Sequence, residues 1–110
     1  MAKVLNLNVA ATALLGEMVK VRVRVKDDVL QIRPTDRVLG SNLPKGEFLR
    51  NVSVRKEGER VKGAAVNLRD VAGGEVGQAV EMVAGKYGWY SLVSTAAVAK
   101  GAAGARIAAK

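Results

Sequence analysis

The chain has 110 residues, with 18 lysines and arginines against 10 acids, a formal net charge of +8, and neither histidine nor cysteine. That length suits one small domain. The missing residue types exclude disulfides, Cys/His zinc sites and Cys–His or Ser–His–Asp catalysis. The cationic excess favours association with a polyanion: nucleic acid, an anionic membrane surface or an acidic protein.

Valine and alanine dominate an apolar fraction of 49%, and aromatics contribute only 4%. Short β-branched side chains in that proportion predict a sheet protein. The N-terminal stretch MAKVLNLNVAATALLGEM is mildly apolar but interrupted by Asn6 and Asn8. It reads neither as a secretory signal nor as a membrane span. Residues 5–15 fit a strand followed by a turn, or a short helix over VAATALLG, with Gly16 ending either.

Val19–Lys26 alternates valine and cation without a fault. As a strand it has one face of Val19, Val21, Val23 and Val25 and another of Lys20, Arg22, Arg24 and Lys26. Asp27-Asp28 is an acceptable two-residue turn into VLQIR, which Pro34 ends. Antiparallel pairing then sets Val25 opposite Leu30, Val23 opposite Ile32, Arg24 opposite Gln31 and Arg22 opposite Arg33. PTDRVLGSNLPKGE reads as a loop.

FLRNVSVRK, a turn at Glu57-Gly58 and ERVKGAAVNL predict a second hairpin. This register sets Val54 opposite Val61, Arg55 opposite Arg60 and Ser53 opposite Lys62. Val23, Val25, Leu30, Ile32, Val54 and Val61 are the expected core. Val76, Val80 and Val83 recur at helical spacing, predicting a short helix from about Glu75 to Ala84. WYSLVS reads as a last strand. Residues 96–110, rich in alanine and glycine with scattered cations, read as a basic tail on a domain spanning 1–95.

LGEMVKVRVRVKDDVLQIRPT, about a fifth of the chain, resembles the second half of swapped-hairpin transcription regulators of the AbrB/MazE type. The shared features are a glycine-acid start, a strand, an acidic turn and a closing Arg-Pro. The strand with Ile-Pro that opens that family is missing from residues 1–16, so the resemblance stops at this hairpin.

Both hairpins put cations on one face and carboxylates at turns or ends. Like charges directly opposite destabilise a sheet, and a polyanion relieves them. Exposed lysine and arginine also guard strands against edge-to-edge pairing. Residues 1–62 hold 13 of the cations and 7 of the acids.

The expected protein is therefore mainly β, a small antiparallel sheet or barrel built from two hairpins with a short helix. It is expected to be a non-enzymatic, homo-oligomeric nucleic-acid binder. Lys20, Arg22, Arg24, Lys26, Arg33, Arg55, Arg60 and Lys62 are its phosphate contacts, and Tyr87 and Trp89 are a stacking or interface pair. GSNLPKGE and AGGEVG lack nucleotide-loop spacing, and the acids form no acid–base pair. No catalytic residue, metal, cofactor, small-molecule substrate or membrane partner is expected. The alternative is a structural subunit of a capsid or another multi-chain assembly, its basic face meeting an acidic neighbour. The expected location is the cytoplasm, or a virion under that alternative.

Overall fold

Alternation in the sequence becomes an inside and an outside. In the computed structural model, which describes residues 2–16, 20–35, 42–69, 71 and 73–109, eight antiparallel strands close into a barrel. They are β1 (Lys3–Leu7), β2 (Lys20–Lys26), β3 (Val29–Thr35), β4 (Phe48–Glu57), β5 (Arg60–Arg69), β6 (Ala79–Ala84), β7 (Tyr90–Thr95) and β8 (Gly104–Ala109). Around the barrel the order is β1-β5-β4-β2-β3-β7-β6-β8. Val21, Val23, Leu30, Ile32, Val66, Leu68 and Ile107 point inward and are buried. No helix among the described residues is long and apolar enough to cross a membrane.

The helix α1 (Val9–Leu15) follows β1, so the strand and helix readings of residues 5–15 both hold, one after the other. Asn8 caps it, its Oδ1 accepting from Ala11 N at 2.9 Å. The same side chain donates to Ala102 O at 2.8 Å and accepts from Gly104 N at 3.2 Å. One asparagine thus ties the start of α1 to the start of β8. Ala11 and Leu15 join the interior cluster, so the helix closes one mouth of the barrel. At the other, Val71 is buried, and Gly77 N donates to Ile107 O at 2.6 Å.

The first hairpin has the expected register throughout. Asp27 and Asp28 both take positive φ, 53° and 64°, the pattern of a type I′ turn. Pro34 lies inside β3, one residue from its end. Val19 falls outside the described residues. Val25 is not core: it sits next to the turn and is 37% exposed.

The second hairpin is shifted by one residue. Its turn is Gly58-Glu59, with Gly58 at φ 62° as the first central residue, where a glycine-first turn needs positive φ. Glu57 faces Arg60, and a bulge on β5 then sets Arg55 opposite Gly63. Gly63 lies so close to β1 that a Cβ there would stand 2.5 Å from Leu7 O. Val54 faces Ala64 but lies beyond the barrel, 39% exposed, and Val61 is half-buried.

Two further readings are corrected. The helix expected over Glu75–Ala84 is instead a turn followed by β6. Its operative period is two: Val80 and Met82 point in, and Glu81 and Val83 point out. The tail expected over 96–110 contains β8, which pairs with both β1 and β6 and so closes the barrel. Ala105 and Ile107 fill the interior while Arg106 faces out. The likeness to swapped hairpins ends here too, since β2 and β3 pair with β4 and β7 of the same chain.

Candidate nucleic-acid interface

Because β2 has its valines inside, Lys20, Arg22, Arg24 and Lys26 line its outer surface. Same-face neighbours on a strand stand about 6.6–7 Å apart, a spacing comparable to that of phosphates along a nucleic-acid backbone. β4 runs antiparallel to β2, with Phe48 beside Val23 and Asn51 beside Lys20. Its outer row of Asn51, Ser53 and Arg55 therefore continues the β2 row past Lys20. From Lys26 to Arg55 the stripe covers ten residue steps, about 33 Å, against a longest molecular extent of 35 Å. Lys20 Nζ donates to Asn51 Oδ1 at 2.6 Å and joins the two rows.

A shallow groove of about 440 Å³ runs beside this junction, lined by Lys20, Asn51, Ser53, Asn67 and Arg69. It widens the basic surface onto β5. Among the described residues the outer face of β2 and β3 carries no carboxylate. Asp27, Asp28, Glu57 and Glu59 sit at the two hairpin ends, and Glu81 points out from β6, across the barrel.

The eight expected cations are not equivalent. Arg22 is ion-paired to Glu47, its Nε 2.6 Å from Oε1, with side-chain exposures of 12% and 8%. Glu47 arrives from the segment before β4, so the Arg22/Arg33 opposition is partly compensated inside the protein. The Arg55/Arg60 opposition does not form, because Arg60 faces Glu57 and Arg55 faces Gly63. Lys62 pairs with Glu57 at 3.4 Å on the exposed hairpin end. Lys26, Arg55 and Arg60 are exposed, and Arg33 lies against Gly88.

Arg24 lies flat on Trp89, its guanidinium carbon 3.8 Å from the ring centroid, with Arg22 at 5.4 Å. Gln31 holds it there: Arg24 Nε donates to Gln31 Oε1 at 2.8 Å, and Gln31 Nε2 donates to Ser91 Oγ at 3.0 Å. Trp89 is consequently only 4% exposed although it lies on the barrel's outer side. It forms a base for the arginines. Tyr87 does not share its face, because Lys86–Gly88 is a 3-10 turn and not a strand.

Two cations escaped the sequence reading. Arg69 follows Asn67 on the outward parity of β5, a position readable once that strand is assigned. Lys86 shares a small cleft with Arg24 and Lys26. No local signal in KYGW places it there, because the cleft depends on β7 pairing with β3. No protein-family model matches the chain, and neither a curated protein nor a solved structure matches it significantly.

Proposed function

We propose that this is a non-enzymatic nucleic-acid-binding protein that lays a phosphate backbone along the outer face of β2 and β4. The carrying observation is the stripe itself: cations along β2 and again at the far end of the β4 row, while among the described residues every acid but Glu47, which pairs with Arg22, sits at its ends or across the barrel. Lys20, Arg24, Lys26, Arg33 and Arg55 are its phosphate contacts, and Arg60 and Lys62 extend it over the projecting hairpin. Arg22, already neutralised by Glu47, positions the face. Such contacts hold a backbone in register without reading sequence.

The test is a titration of labelled single-stranded and duplex oligonucleotides against the wild type and a Lys26→Glu/Arg55→Glu variant. Both side chains are exposed, so the variant is expected to melt with the wild type yet bind much more weakly. Equal binding by the two proteins would reject this face.

A second reading, a structural subunit of a multi-chain assembly such as a capsid, draws on exposed apolar side chains. Val83 and Val93 point outward on β6 and β7, and Val9 and Val54 line a groove beside α1. Sedimentation over a wide concentration range tests it, a single monomeric species counting against it.

A further inference from the structure

The turn between β6 and β7 holds a large aromatic ring in an unfavourable way. Tyr87 has φ 59° and ψ 27°, a left-handed conformation that glycine or asparagine adopts at lower cost. Its side chain is 83% exposed, the most exposed of the large hydrophobic residues in the described chain. The ring contributes nothing to the core, so packing does not repay the backbone strain. Strain of this kind, held by surrounding structure, clusters at functional sites.

The surroundings are well fixed. Gly85 N donates to Trp89 O at 2.8 Å and Trp89 N donates to Lys86 O at 3.1 Å, closing the turn. Tyr87 borders a cleft of about 200 Å³ shared with Arg24, Lys26, Gln31, Lys86 and Trp89. Three cations therefore line the same cleft as one exposed phenol. Arg24 is held flat by the indole beneath it and by Gln31 beside it. Among the described residues no acid lines the cleft.

Resting on the nucleic-acid reading above, we infer that this cleft is a subsite for one unpaired base of a single strand. Tyr87 stacks on the base, and Lys26 and Lys86 hold the flanking phosphates. An exposed ring beside clustered cations is the combination that single-strand binders use, since every base offers a π-face. A duplex keeps its bases stacked inside and offers this ring nothing without unpairing. The preferred ligand is therefore single-stranded, and the cleft has room for one planar base.

The experiment compares a short labelled single strand, the same strand made abasic, and a matching duplex. The proteins are wild type, Tyr87→Phe and Tyr87→Gly, at one fixed salt concentration. Tyr87→Gly is expected to melt at or above the wild-type temperature, because glycine relieves the positive φ. It should nevertheless bind the single strand about 5- to 150-fold more weakly, the value of one stacked base. Tyr87→Phe should retain the affinity. The abasic strand should bind wild type and Tyr87→Gly alike, and so should the duplex. Full single-strand affinity in Tyr87→Gly, or an equal loss on all three ligands, overturns the subsite while leaving the cationic face intact. Wild-type protein that binds no oligonucleotide at low salt but binds polyglutamate overturns the nucleic-acid reading and the subsite with it.

Discussion

Glu47 is the residue that anchors Arg22 against the barrel. Among the described residues it is the one carboxylate paired with the β2 row, and its pairing with Arg22 leaves both side chains nearly buried. Removing one partner from such a pair strands the other charge. Glu47→Gln is therefore expected to lower stability by up to about 3 kcal/mol, measured by denaturant unfolding, without weakening oligonucleotide binding. A variant that keeps full stability would mean that Arg22 is held by solvent instead. The valines separate in the same way. Val23 is fully buried and Val25 is 37% exposed, so Val23→Ala should cost about 1–3 kcal/mol by extrapolation from larger truncations. Val25→Ala should cost less than about 1 kcal/mol. Equal costs would contradict the assigned inside and outside of β2.

Among the elements, β8 is the sharpest test of the barrel. It joins β1 to β6 and supplies Ile107 to the interior. A chain ending after Ala103 is expected to lose its cooperative thermal transition by circular dichroism, and one that melts like the full chain would return residues 104–109 to a tail. The β2–β3 hairpin was legible because its information is local: unbroken alternation, a two-residue turn and a partner strand directly after it. β6 was misread because Val76, Val80 and Val83 happen to fit a helical spacing as well. β8 was hidden by its composition, since alanine and glycine carry little strand preference and its partner β1 lies about a hundred residues away. The second hairpin missed by one residue because Gly58 serves a glycine-first turn. For the site, the cations of β2 could be read directly. Glu47 beneath Arg22 and Trp89 beneath Arg24 could not, because barrel closure brings them together.

At the scale of the whole molecule, closure removes the free strand edges through which the sheets of two subunits could pair. Any self-association then rests on exposed apolar side chains such as Val9, Val54, Val83 and Val93. Closure also turns a local alternation into a stripe along the full length of the protein. A stripe of this kind acts through released counterions, so its strength must depend on salt. The most direct measurement is the slope of log affinity against log salt concentration for a single-stranded oligonucleotide, with wild type and Lys26→Glu/Arg55→Glu side by side. The five phosphate contacts of this face predict a slope of about −3.5 for the wild type, at about −0.7 for each phosphate neutralised on a single strand. The double variant should be shallower by about 1.4. A slope near zero, or one unchanged by the two reversals, would contradict binding along this face.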